Sequence, residues 1–266
     1  MNLPKKIVIP LARSGYFARG VVYMIVGLLA LVATWTASSH GGAKDALTAI
    51  LAQPFGTALI WVMVVGLIGY TTWRLVQSVF DTDDHGWNPV GLGVRAGLLT
   101  SGVTYFSMAV FCLAKLGVLP GGGGKEGATW TDKAMEILGA GPVIIAFGIA
   151  FTIIASAHFW KAFKRKYADH FDAPEAAMPI VHTVSIIGLT ARGIVFGLLA
   201  FLMWRRFFAA DSPAEKPGTK EALQFLQDMT AGPWIISALS VGIMVFALYS
   251  MLEARWRKIN VEDATD

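Results

Sequence analysis

The chain has 266 residues, 55% hydrophobic and 15% charged, where an ordinary soluble domain carries about 25% charge. Roughly 146 apolar side chains set against 22 basic and 18 acidic ones exclude a soluble single-core enzyme, whose surface needs far more charge. The net charge of +4 does not form an aromatic-interleaved basic face, so nothing points to nucleic acid.

In chain order, Lys5 and Lys6 precede a first uncharged run, Gly20 to Ser39. Phe55 to Trp73 follows, and then Asp81-Thr82-Asp83-Asp84-His85-Gly86, which has the flavour of a calcium loop. Its twelfth position holds Leu92 instead of Glu, so a solvated loop is expected. Ala96 to Ala114 carries the single cysteine, Cys112, expected to be a packing residue. Gly121 to Gly124 is a loop without a phosphate-binding signature, because Lys125 is followed by Glu126. Gly141 to Trp160 leads into the basic stretch Lys161 to Lys166, suited to anionic lipid. Met178 to Trp204 and Ala231 to Leu252 complete six runs, each 19 residues or longer. None of the acidic residues lies inside them, and Arg192 is the one basic residue that does. A bilayer core excludes charge in just this way, so the expectation is an all-α integral membrane protein of six transmembrane helices.

Trp35, Trp61, Trp204 and Trp234 fall toward one set of helix ends and Trp73, Trp160 and Trp256 toward the other, as two headgroup belts. The side carrying both termini holds 14 of the 22 basic residues, which by the positive-inside rule makes both termini cytoplasmic.

The odd runs repeat one another. Arg13-Ser14-Gly15-Tyr16-Phe17-Ala18-Arg19-Gly20-Val21-Val22-Tyr23 aligns with the segment Arg95 to Tyr105 at an offset of 82, and with Gly188 to Phe196 at an offset of 173. The even runs align through Pro54, Pro142 and Pro233, which place Tyr70, His158 and Tyr249 at one depth. Each unit has two spans, so successive units enter the membrane from the same side. The expectation is three parallel two-helix repeats in a pseudo-threefold bundle, over 1–86, 87–175 and 176–266. Because the first span recurs internally, it is expected to be a structural helix and not a removable leader. Before each proline lies a short amphipathic segment: Ala46, Leu47, Ile50 and Leu51; Ala134, Met135, Ile137 and Leu138; Ala222, Leu223, Phe225 and Leu226. With Asp45, Asp132 and Glu221 near their starts, these are expected to be short helices on the non-cytoplasmic surface.

The N-terminal Arg-Ser-Gly-Tyr-Phe-Ala-Arg-Gly-Val-Val-Tyr motif, Gly66-Leu67-Ile68-Gly69-Tyr70 and Thr190-Ala191-Arg192-Gly193-Ile194-Val195-Phe196-Gly197 together resemble the bacterial membrane family known as domain of unknown function 1206. The resemblance runs along essentially the whole chain. It implies a two-helix unit occurring three times in a bacterial inner-membrane protein, and it supplies no catalytic residue and no cofactor.

Residues four apart share a helix face, and the repeated row is small, polar, aromatic, small. It reads Gly15, Arg19, Tyr23, Gly27; Gly97, Ser101, Tyr105, Ala109; and Gly188, Arg192, Phe196, Ala200. Gly15, Gly20, Gly97, Gly102, Gly188 and Gly193 are expected to let helices approach closely, which turns this face toward protein. An arginine near mid-bilayer costs about 3 kcal/mol unless it snorkels or finds a partner. Two readings stay open: Arg19 and Arg192 snorkel to water, or they line a polar site in the cytoplasmic half with Ser101, Tyr23 and Tyr105. Such a site would hold a small anion, an anionic lipid headgroup or the internal carboxylate of Glu253. His158 and His182 lie in the same half and are expected to be hydrogen-bonded packing residues rather than haem ligands. The functions that fit are a small transporter, channel or ligand- or lipid-binding protein; a structural or accessory membrane protein; and, with least support, a haem or electron-transfer protein. No cofactor or metal is expected, nor any protease or hydrolase motif in the spans.

Overall fold

In the computed structural model of the chain, the described residues are 5–36, 54–82, 86–119, 137–209, 225–226 and 229–259. Six long helices carry the structure: α1 (Lys5–Thr36), α2 (Gly56–Phe80), α3 (Pro89–Lys115), α4 (Ala140–Phe163), α5 (Met178–Ala209) and α6 (Gly232–Trp256). All six are long and apolar enough to cross a membrane. Helices suit that setting because each satisfies its own backbone polar groups where no water is available. Among the described residues the extended structure amounts to an isolated antiparallel bridge between Phe171 and Arg257.

The helices overrun the uncharged stretches, chiefly on the face that carries both chain ends. α1 begins at Lys5 instead of Gly20 and takes in Arg13 and Arg19, while α2 continues past Trp73 to Phe80. Local signals set several ends. Asn88 caps α3 by accepting the Gly91 N–H at 2.9 Å, with Pro89 in the first helical position. Asp81 ends α2 in the left-handed region at φ 49°, its carboxylate accepting the Gly86 N–H at 2.7 Å and lying 3.7 Å from Arg95. Arg95 in turn donates to the carbonyls of Ser78 and Val79, each at 2.9 Å, neutralising the negative end of α2.

Packing runs in one continuous row: α3 on α2, α2 on α1, α1 on α6, α6 on α5 and α5 on α4. The two end helices, α3 and α4, line a common cavity without packing closely, so the row curves into a ring that is loosest at one seam. Backbones approach most closely around α6. A Cβ at Gly20 would stand 2.9 Å from the Ala247 carbonyl oxygen, and one at Gly188 would stand 2.7 Å from Phe246 Cα. Gly15 meets Trp73, Gly193 meets the Phe159 ring, and Gly102 lies in ordinary contact with Arg74 and Leu75. Gly97 departs from the expectation, because a Cβ at its position meets nothing within 4 Å.

One apolar core joins α1, α2 and α3 through Val22, Ile60, Met63, Val64, Leu67, Ala109 and Cys112. Cys112 is fully packed there. A second core joins α4, α5, α6 and the Tyr167–Phe171 turn. Trp35 and Trp234 stack edge to face at 5.1 Å and are well exposed, as a headgroup belt requires. Trp73 differs from its expected place in the opposite belt: it is buried against Tyr16, because Gly15 leaves room for the indole. The expected amphipathic segments and Asp45, Asp132 and Glu221 lie outside the described residues, apart from Ile137, Leu138, Phe225 and Leu226. Leu226 is buried and Phe225 sits 5.7 Å from Phe201 of α5, whereas Ile137 and Leu138 are exposed.

Candidate functional site

The repeated rows converge on the interior near the face that carries both chain ends. Arg19 on α1 is 5% exposed and saturated by neighbours. Its Nε donates to Ser250 Oγ at 2.9 Å, Nη1 to Tyr70 Oη at 3.3 Å, and Nη2 is paired with Glu253 Oε2. The other carboxylate oxygen of Glu253 accepts Arg257 Nη1 at 2.6 Å. Both oxygens of this 2%-exposed carboxylate are therefore engaged by guanidinium groups, the condition under which a buried ion pair persists. The rings of Tyr16, Tyr70 and Phe246 surround the Arg19 guanidinium at 5.2–5.4 Å. Glu253 is thus the internal carboxylate for Arg19, and neither group snorkels to water.

Arg192, its repeat counterpart on α5, is held differently. Its guanidinium lies 4.5 Å from the Phe246 centroid, 4.9 Å from Tyr23 and 5.4 Å from Phe196. Its buried Nε has no hydrogen-bond partner, and among the described residues no carboxylate comes within ion-pair distance. The aromatic row beside it meets across the repeats, with Tyr23 Oη 2.6 Å from Tyr105 Oη and the Tyr105 ring 4.7 Å from Tyr70.

These groups border a cavity of about 220 Å³. Arg19, Arg74, Lys161, Arg192 and Arg257 contribute five cationic side chains to its lining, against the single carboxylate of Glu253, and Tyr16, Gln77, His158, Tyr167, His170 and Tyr249 add polar groups. Arg74 bonds Gln77 Oε1 at 3.0 Å and stacks 4.8 Å from Tyr70, but its Nε is also buried without a partner. His158 places Nδ1 2.7 Å from the Ile154 carbonyl, so this nitrogen carries the proton and Nε2 is left as an acceptor. His182 lies apart from the lining and takes Tyr167 Oη at 3.1 Å. Burial pushes the Tyr167 phenol above its ordinary range, with Arg165 opposing the shift. Below the cavity the C-terminal segment is latched to the α4–α5 connection, where Asp172 N–H donates to Trp256 O at 2.7 Å and Lys258 N–H to His170 O at 2.9 Å.

Of the residues singled out from sequence, Arg19, Arg192 and Glu253 reach the cavity, while Tyr23 and Tyr105 form the aromatic layer next to Arg192. Ser101 does not line the cavity: it is half-buried on α3, the helix at the edge of the ring. Arg74, Lys161 and Arg257 were not singled out as site residues, because each stands at the end of an apolar run where a cation is an ordinary topology signal. Tyr70, His158 and Tyr249 carried a usable signal in their matched depth.

The class of protein is therefore an all-helical, six-span membrane protein with a cationic interior cavity at one end of the bundle. A family model described as Domain of Unknown Function (DUF1206) matches residues 14–81 and 187–257, and the chain belongs to that family. The matched regions contain Arg19, Tyr70, Arg74, Arg192, Tyr249 and Glu253. The chain is also 28% identical over 256 residues to "Uncharacterized protein YxxB" of Bacillus subtilis (strain 168), covering 94% of this chain and 91% of that one. No solved structure matches.

Proposed function

We propose that this membrane protein binds an anionic ligand in the cationic cavity, with Arg192 as the principal ligand-facing cation. The observation that carries the reading is the contrast between the two arginines. Arg19 is neutralised by Glu253 within the fold, whereas Arg192 lines the same cavity, leaves its buried Nε unpartnered and, among the described residues, has no carboxylate within ion-pair distance. A buried charge left without a counter-charge is costly, and an incoming anion removes that cost. Beside Arg192 the interior turns to Tyr23, Tyr105 and Phe196 and then to the α1–α2–α3 apolar core, which favours binding over a continuous polar path through the bilayer. The excess of basic residues on the face carrying both termini further supports cytoplasmic termini in a bacterial inner membrane.

The test is thermal unfolding of the detergent-solubilised full chain with inorganic phosphate or sulfate at constant ionic strength. The expected result is a rise in the unfolding midpoint that chloride does not give and that Arg192→Gln abolishes. A second reading, a structural or accessory membrane protein, draws on the saturation of Arg19 by Ser250, Tyr70 and Glu253. It is favoured if the midpoint is indifferent to the anion in both proteins.

A further inference from the structure

The seam of the ring offers the cavity a side door. α3 contributes Val94 and Leu98 to the cavity lining and α4 contributes Ala157, His158 and Lys161, yet the two helices do not pack closely. They are also the least buried of the six spans. The surface on either side of the seam is apolar, with Val94 of α3 and, one turn before Ala157 of α4, Ile153 both exposed. At 100° per residue Gly97 lies about 140° around α3 from Gly102, which faces α2, and a Cβ on Gly97 meets nothing. On α4, Ala150 and Ala157 fall on one stripe seven residues apart, and both are exposed. The cation-lined cavity therefore lies behind an apolar seam between two helices that do not pack closely.

We propose that the ligand of this cavity is an anionic phospholipid that enters between α3 and α4. Its phosphate sits against Arg192, with Arg74 and Lys161 flanking, and its acyl chains leave through the seam. The proposal rests on the anion-binding reading and adds the source of the anion. A soluble anion needs only an opening to water, whereas a molecule with a charged head and apolar tails matches both the cationic cavity and the exposed apolar surface beside it on α3 and α4. Guanidinium groups suit phosphate oxygens because they present several parallel donors, and Arg192 and Arg74 both line the cavity.

Native mass spectrometry of the full chain in detergent, titrated with dioleoyl phosphatidylglycerol or dioleoyl phosphatidylcholine, tests this directly. One phosphatidylglycerol per chain should be retained with a preference of about tenfold or more over phosphatidylcholine. Arg192→Gln should lose that preference and Arg192→Lys should keep part of it, because a point charge replaces the fork. A Cβ at Gly97 meets no neighbour, so Gly97→Leu adds bulk to the seam-side surface of α3 and its unfolding midpoint should match the parent while phosphatidylglycerol retention falls. In Gly97→Leu, stabilisation by inorganic phosphate should survive. Equal retention of the two lipids, or unchanged retention in Gly97→Leu, overturns lateral lipid entry. If phosphate stabilises the parent protein but phosphatidylglycerol is not retained, the lipid assignment falls and the anion site stands. If neither binds, both fall. A lipid-free dimer that Gly97→Leu breaks would assign the seam to a second copy of the chain and also overturn the proposal.

Discussion

Arg19 and Arg192 occupy the same place in two copies of one motif and have opposite surroundings. For Arg19, the pairing with Glu253 predicts that Glu253→Gln destabilises the protein by about 3–5 kcal/mol, because a buried guanidinium loses its counter-charge. Chemical denaturation in detergent measures it. The double variant Arg19→Leu with Glu253→Leu should cost less than the sum of its two singles, the signature of a coupled pair. For Arg192 the expectation is reversed. Arg192→Leu removes an unpaired charge and should cost less stability than Arg19→Leu, while abolishing the response to phosphate. A loss of stability equal to that of Arg19→Leu would mark Arg192 as a structural residue. Arg192 was visible in the sequence as the one charge inside an apolar run, Arg19 through its repeat, and Glu253 through its depth. Arg74, Lys161 and Arg257 were not, since position along the chain does not distinguish a cation turned inward from one turned to the headgroups.

At the level of the helices, the small residues decide which pairs approach closely. Gly188 faces the α6 backbone at Phe246, and backbone cannot rotate out of the way as a side chain can. Gly188→Leu should therefore prevent α5 and α6 from docking, read as loss of the monodisperse peak in size-exclusion chromatography. Gly97→Leu should leave that peak in place, because its Cβ meets open space. The repeat pattern treats the two glycines as equivalent and cannot separate them. Their difference arises because α5 lies between two neighbours, α4 and α6, whereas α3 has α2 on one side and the seam on the other. Trp73 teaches the same lesson. Its position at the end of an apolar run suggested the headgroup layer, but Gly15 on the next helix leaves room for an indole and the ring is buried.

For the molecule as a whole, Ile9 of α1 and Ile259 pack on one cluster at the end of the bundle that holds the cavity, and the C-terminal segment forms part of its floor through Arg257 and the Phe171 bridge. Truncation after Trp256 should remove one of the two partners of Glu253 and lower the unfolding midpoint, by less than Glu253→Gln because Arg19 remains paired. Cytoplasmic termini predict that a fluorescent protein fused at the C-terminus is bright and that alkaline phosphatase fused there is inactive; the opposite pattern would invert the orientation. The six spans were legible in the sequence because a bilayer excludes charge and leaves a record of where each helix crosses, and the repeated polar face because the motif recurs along the chain. The tertiary structure alone decided which charges are neutralised and where the ring opens. Those outcomes depend on contacts between residues as far apart as Arg19 and Glu253, 234 positions along the chain, and a side chain's partner at that separation is set by how the helices pack.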